Sequence, residues 1–104
     1  MAKTIKDMTF PQAIYTMQVQ TASNQFKNMS LKCTLNNGKT AFMTVLKDQL
    51  EMVQLYGIDM SDVPAGLELT TRDALWPYWT APVEKVLEAY NPIVSNVVLN
   101  CHTV

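Results

Sequence analysis

The sequence predicts a small α+β fold in which an antiparallel sheet is covered by two to three helices. Three observations lead to this prediction: an Asn-Gly pair between two apolar-rich segments, a β-rich C-terminal segment, and apolar residues at helical spacing elsewhere. A chain of 104 residues is long enough to bury one core of its own. We therefore treat residues 1–104 as a single domain, with residues 1–8 as a flexible lead-in.

The clearest turn is the Asn37-Gly38 pair. Asn-Gly tolerates positive φ at both central positions of a two-residue hairpin loop, whose twist matches that of the flanking strands. A hairpin over residues 29–46 is therefore predicted, with Cys33 opposite Phe42. The odd-numbered apolar positions of its first strand are expected to face the core, since side chains alternate between the two sides of a strand.

The predicted sheet is a three-stranded meander completed by a C-terminal strand. Each segment is rich in β-branched or aromatic residues or alternates apolar with polar positions, which is typical of a strand with one solvated side. The four predicted strands are residues 13–21, 29–35, 40–46 and 93–101.

The first of these strands is predicted against a conflicting pattern. Residues 9–12, TFPQ, have the form of a capping box, which favours a helix, whereas the alternation of residues 13–21 favours a strand, which we adopt. As a helix, the segment would carry two opposed apolar stripes and would need a partner for each. The first stripe contains Phe10, Ile14 and Met17, and the second contains Tyr15, Val19, Ala22 and Phe26.

The helices are predicted from apolar residues that recur every three or four positions. This spacing is found in residues 47–56 and again in residues 81–90. A third, shorter helix is expected at about residues 71–78. The alternative fold is a mostly α-helical oligomer with helices at residues 10–28 and 41–56.

Composition limits the classes of function. Charged residues make up 16% of the chain, and the formal net charge is −1 at pH 7. So little charge favours self-association, and a homo-oligomer is expected. Nucleic acid is not expected as a partner, because phosphate binding needs several Lys or Arg on one surface. The sequence predicts neither a membrane span nor a secretory leader, so we expect a cytoplasmic location and no membrane partner.

Signatures of catalysis and of metal binding are missing from the sequence. The chain has one histidine, His102, and two cysteines, Cys33 and Cys101, without the paired spacing of a zinc site. Its three glycines form no phosphate-binding loop. We interpret both cysteines as small buried apolar residues. The sequence therefore indicates a non-enzymatic protein with no catalytic residues, no metal and no cofactor.

The candidate binding residues lie close together, in a segment where both tryptophans and one tyrosine occur within four positions. They are Arg72, Trp76, Tyr78 and Trp79. If this group is buried, it closes one end of the core. If part of it is exposed, its rings and guanidinium can anchor a protein partner or stack on a base.

These features predict a small non-enzymatic regulatory or inhibitor module, such as a bacterial or phage accessory protein. We expect it to be homo-oligomeric and to bind and modulate a protein partner through the aromatic surface. The alternative is a protein that binds or sequesters a small molecule or nucleotide in a pocket at a subunit interface.

Overall fold

The computed structural model of the chain describes residues 2–23, 26–58, 60–67, 69, 71–72 and 78–103. Within these residues, seven strands and two α-helices are present, with one short 3₁₀ turn at Met60–Asp62. In chain order the strands and helices are β1 (Ala2–Ile5), α1 (Phe10–Ser23), β2 (Phe26–Leu35), β3 (Thr40–Leu46), β4 (Gln49–Tyr56), β5 (Thr71–Arg72), β6 (Tyr78–Pro82), α2 (Val83–Tyr90) and β7 (Val94–Thr103).

The described strands form a single antiparallel sheet in the order β1-β7-β2-β3-β4-β6-β5. The predicted α+β class is confirmed, and β2, β3 and β7 match three of the four predicted strands. The meander is also present, but it consists of β2, β3 and β4. Residues 2–5, expected to belong to a flexible lead-in, form β1 and pair with β7.

The strand predicted for residues 13–21 is wrong, because this segment belongs to α1. The capping box decides the structure: the Thr9 backbone N–H donates to Gln12 Oε1 (2.9 Å), and the Gln12 N–H donates to Thr9 Oγ1 (3.2 Å). One apolar stripe of the helix, which includes Ile14 and Met17, is fully buried against the sheet. The alternative helix at residues 10–28 was therefore correct up to Ser23.

The helix predicted for residues 47–56 is also wrong, as is the alternative helix at residues 41–56. Lys47 and Asp48 form a tight turn, and the chain returns as β4 between β3 and β6. Its burial alternates, with Val53 and Leu55 fully buried. Pairing on both edges satisfies the backbone of the strand, and this tertiary arrangement prevails over the local helical spacing.

The hairpin is confirmed, but its register differs from the predicted one by one residue. Cys33 lies opposite Ala41, not opposite Phe42. The loop has three residues, because Gly38 N–H donates to Leu35 O (2.9 Å) and Gly38 has a φ of 85°, while Asn37 has no positive φ. A type I turn followed by a left-handed glycine gives this longer loop. The shift places Phe42 on the side of the sheet opposite to Cys33.

Helix α2 confirms the predicted helix at residues 81–90, with Val86 and Tyr90 fully buried. The third predicted helix, at about residues 71–78, is not observed at either end. Its first two residues form β5 and its last residue begins β6. Residues 73–77 lie outside the described residues.

Both described helices pack on the same side of the sheet, which we call the covered face. Their buried residues form one cluster with alternate residues of the strands. Cys33 and Cys101 belong to this cluster, which confirms them as buried apolar residues. The other strand residues lie on the opposite side of the sheet, which we call the open face.

Candidate functional site

Two rows of side chains cross the open face, because residues paired directly between antiparallel strands lie on the same side of a sheet. The central row runs from β7 to β4, and the polar row runs beside it from β7 to β6. The central row consists of Val98, Lys32, Phe42 and Tyr56. The polar row consists of Asn100, Ser30, Thr44, Gln54 and Thr80.

The two aromatic rings of the central row are stacked. The ring centroids of Phe42 and Tyr56 are 5.7 Å apart, and the ring planes are inclined by 18°. Tyr56 Oη is also hydrogen-bonded to Ser30 Oγ at 2.9 Å. Since Tyr56 is on β4 and Ser30 is on β2, the Tyr56 ring extends over β3. Both rings are thus held in place while remaining partly exposed.

Gly57, directly after β4, allows the chain to pass close to this ring pair. A Cβ atom at this position would lie 3.0 Å from Phe42 Cδ2, which is closer than an ordinary van der Waals contact. Gly57 also has a φ of 74°, a conformation that only glycine adopts easily. The chain reversal at the end of β4 therefore packs against one edge of Phe42.

Threonine hydroxyl groups at two other places on the open face are also bonded within the sheet. Thr44 Oγ1 donates to Met29 O at 2.9 Å, and Thr4 Oγ1 donates to Asn100 Oδ1 at 3.1 Å. Lys32 is the one charged residue of the two rows, and it is exposed. Within these two rows the open face therefore carries a rigid aromatic pair and one cation, and the other side chains of the rows are uncharged.

Three of the four predicted site residues lie in the β5–β6 edge strands of this sheet. Arg72 pairs with Trp79, and Tyr78 pairs with Tyr56. Trp79 lies on the covered face, half-buried against the core. Trp76 lies outside the described residues. The sheet brings Arg72 next to Trp79, whereas the predicted helix would have placed it beside Trp76.

The sequence pattern does not identify Lys32, Phe42 and Tyr56 as a group. Phe42 was expected on the core side because of the two-residue loop, and Tyr56 was assigned to a helix. The signal that identifies them is the burial pattern of β4 combined with a three-residue loop at Gly38. With that register, Lys32, Phe42 and Tyr56 are directly adjacent across three strands.

A shallow cleft of about 290 Å³ lies at the Gly38 end of the sheet. An ion pair between Lys39 Nζ and Asp62 Oδ1 (2.6 Å) connects the hairpin to the loop after β4. The pair brings together the two charged groups of the cleft lining. The residues that line the cleft are Leu35, Lys39, Thr40, Gly57, Ile58 and Asp62.

The buried titratable groups near this cleft are held in their neutral forms. Burial raises the pKa of the Cys33 thiol to about 12. Burial also raises the pKa of Tyr90 to about 12, with smaller contributions from the nearby Cys33 and Asp62. A thiol with such a pKa is protonated at neutral pH and is a poor nucleophile.

In the part of the chain that the structure describes, the His, Cys, Asp and Glu residues form no group of three or more that could hold a metal ion. Neither helix of this part of the chain is long and apolar enough to span a membrane. Among the surfaces described so far, the open face has the most distinctive chemistry.

No protein-family model, no curated protein and no solved structure matches this chain.

Proposed function

We propose that this protein is a small non-enzymatic regulatory module that self-associates. It binds a protein partner through the open face. One observation supports this most strongly: the stacked pair of Phe42 and Tyr56, held on the sheet beside Lys32. Of the predicted binding residues, Tyr78 belongs to the same proposal, since it pairs with Tyr56 on the neighbouring strand. Trp79 lies on the covered face and is not part of this surface.

Rigid aromatic side chains are well suited to bind a partner. Tyr and Trp are frequent at the energetic centres of protein interfaces, because they bury a large area and lose little conformational freedom. The hydrogen bond between Tyr56 and Ser30 and the stacking with Phe42 restrict the Tyr56 ring before any partner arrives. The entropy cost of ordering this ring on binding is therefore small.

The size and charge of the open face favour a protein over a nucleic acid. Six spacings of about 4.8 Å make a seven-stranded sheet about 29 Å wide. A protein interface of about 800 Å² per partner has a similar width. Lys32 is the one cation of the two described rows, whereas binding to a phosphate backbone needs several. The matching partner presents apolar groups to Phe42 and Tyr56 and a carboxylate or carbonyl oxygen to Lys32.

Affinity capture from the native host, with matched variants as bait, tests this proposal. Lys32→Glu reverses the charge of the central row at an exposed position, and Phe42→Ala removes one ring. Glu84→Gln, at an exposed position of α2 on the covered side, is the control. We expect the wild type and the control to recover the same partner and both open-face variants to recover at least about tenfold less.

Circular dichroism must show that the open-face variants are folded at the capture temperature. Lys32→Glu is the decisive variant, because Lys32 is exposed and its replacement leaves the core intact. Equal recovery of the partner by Lys32→Glu, Phe42→Ala and the wild type would overturn the proposal.

Nucleotide binding is a second candidate function, favoured by the same ring pair. Phe42 and Tyr56 offer aromatic surface for a base, and Lys32 in the same row can contact a phosphate. Titration with a panel of nucleotides, followed by tryptophan fluorescence and calorimetry, separates the two functions. Saturable binding that Phe42→Ala abolishes supports this candidate, and no response across the panel in either measurement removes it.

A further inference from the structure

Helix α1 has a second apolar stripe that faces away from the sheet. Tyr15 is 68% exposed and Val19 is 43% exposed, and the two residues are one helical turn apart. The opposite stripe, which includes Phe10, Ile14 and Met17, is buried in the core. The core therefore covers one of the two stripes and leaves the other exposed.

The exposed side of α1 is also free of charge. None of the 14 residues of α1 is an Asp, Glu, Lys, Arg or His. Exposed helix surfaces normally carry charged residues. By comparison, the eight residues of α2 include Glu84, Lys85 and Glu88, all of them exposed. The contrast shows that the exposed side of α1 lacks the charged residues that the exposed side of α2 carries.

We propose that the exposed stripe of α1 is a homodimer interface, in which Tyr15 and Val19 pack against α1 of a second copy of this chain. In a twofold interface the same surface is used by both copies, so a charge near the axis meets its own like charge. The uncharged stripe of α1 carries no such penalty. This inference specifies the self-association in the proposed function and is independent of partner binding by the open face.

The charge distribution also explains why the open face is not the dimer interface. Lys32 lies near the middle of the open face, so face-to-face pairing of two copies would bring the two Lys32 side chains towards each other. Like charges brought together in an interface disfavour that arrangement. The two surfaces therefore suit different occupants, a second copy on α1 and a different protein on the open face.

The two α1 helices pack antiparallel about the twofold axis. Each helix of 14 residues is about 21 Å long, and packed helices are separated by about 8–10 Å. Antiparallel packing places the positive end of one helix dipole beside the negative end of the other. With the axis between Tyr15 and Val19, each Tyr15 contacts Val19 of the other copy.

The arrangement has a consequence for partner binding. The exposed stripe points away from the sheet, so a dimer formed through α1 leaves both open faces accessible on its two outer sides. Such a dimer is bivalent, and a partner that is itself oligomeric binds it with increased avidity.

Two charged double variants test the interface by light scattering after gel filtration over a range of concentrations. One variant is Tyr15→Lys with Val19→Lys, and the other is Tyr15→Glu with Val19→Glu. We expect the wild type to have the mass of a dimer and each variant alone to have the mass of a monomer, because like charges then face each other. An equal mixture of the two variants is expected to regain the dimer mass.

A control separates a specific interface from an effect of net charge. Glu84→Gln with Glu88→Gln, at exposed positions of α2, changes the net charge by +2, as the lysine variant does. This control is expected to remain dimeric. Any of four results would overturn the inference: the wild type is a monomer, the charged variants are dimers, their mixture stays monomeric, or the control is a monomer. Partner capture by the monomeric variants tests the open face separately.

Discussion

The two faces of the sheet are built from the same strands but are stabilised in different ways. On the covered face, side chains such as Leu31 and Met43 are fully buried and pack with the helices. On the open face, their sequence neighbours Lys32 and Phe42 remain partly or fully exposed, and hydroxyl bonds and ring stacking organise the surface. Adjacent residues of one strand therefore have different environments: the odd positions of β2 pack in the core, and the even positions belong to the open face, for which we propose partner binding.

The largest difference in the free energy of unfolding between substitutions on the two faces is expected for Leu31→Ala and Lys32→Ala. Leu31 is fully buried in the centre of the sheet, so its truncation leaves a cavity and should lower the free energy of unfolding by about 3 kcal/mol. Lys32 is exposed, and its truncation should change the free energy by less than about 0.5 kcal/mol. Urea denaturation measures both values, and equal losses would show that the open face is also part of a packed core.

A smaller effect is expected from Gly57→Ala, which tests how rigidly the ring pair is held. The new Cβ would lie 3.0 Å from Phe42 Cδ2 in a backbone conformation that already disfavours alanine. The expected loss is about 2 kcal/mol. Gly38→Ala is the matched control, since Gly38 also has positive φ but no atom within 4 Å of the new Cβ. A loss no greater than that of the control would mean that Phe42 moves freely.

The covered face should also make stability depend on alkaline pH. The Cys33 thiol has a pKa of 9.0 in the unfolded chain and about 12 in the folded protein. Above pH 9 the unfolded state loses this proton and the folded state keeps it, so the stabilisation is complete below pH 9 and is lost as the pH rises towards 12. The expected slope from Cys33 is about 1.4 kcal/mol per pH unit.

Cys33→Ala removes this contribution and should flatten the pH dependence between pH 9 and 11. Part of the slope should remain in the variant, because the pKa of Tyr90 is raised as well. Urea denaturation of both proteins at several pH values gives the two slopes. Identical slopes would show that the Cys33 thiol ionises as easily in the folded protein as in the unfolded chain.

Parts of the fold were predictable because local patterns and tertiary packing agree there. Strands β2 and β7 and helix α2 each carry one clear periodicity, and each buries the side that this periodicity indicates. Strand β4 was not predictable from its own residues, because Val53 and Tyr56 also fit a helical spacing. Its structure is decided by pairing with β6, which is about 25 residues distant along the chain.

Helix α1 and the open face were missed for related reasons. The second stripe of α1, with Tyr15 and Val19, was taken as an argument against a helix, yet the helix forms and leaves that stripe exposed. The ring pair was missed because only Gly38, and not Asn37, has a positive φ, which makes the loop one residue longer than predicted. This shift moves Phe42 from the covered face to the open face. In both places the residues that depart from a simple core pattern are those to which we assign binding.

The smallest expected effect comes from the same substitution made on each face. Tyr56→Phe on the open face removes the hydrogen bond to Ser30 Oγ and should lower the free energy of unfolding by about 1 kcal/mol. Tyr90 is fully buried on the covered face, and its hydroxyl has no hydrogen-bond partner among the described residues. Tyr90→Phe removes this unpaired polar group and should leave the stability unchanged or raise it by up to about 1 kcal/mol.

A double-mutant cycle with Ser30→Ala isolates the bond of Tyr56. If the hydroxyl of Tyr56 is stabilised by Ser30, adding Ser30→Ala to Tyr56→Phe should cause little further loss of stability, because the bond is already absent.

A clear loss of stability in Tyr90→Phe would show that the buried hydroxyl of Tyr90 is bonded. The opposite signs expected for one chemical change follow from the difference between the faces: hydroxyl groups are paired on the open face, whereas a single buried one is unpaired on the covered face.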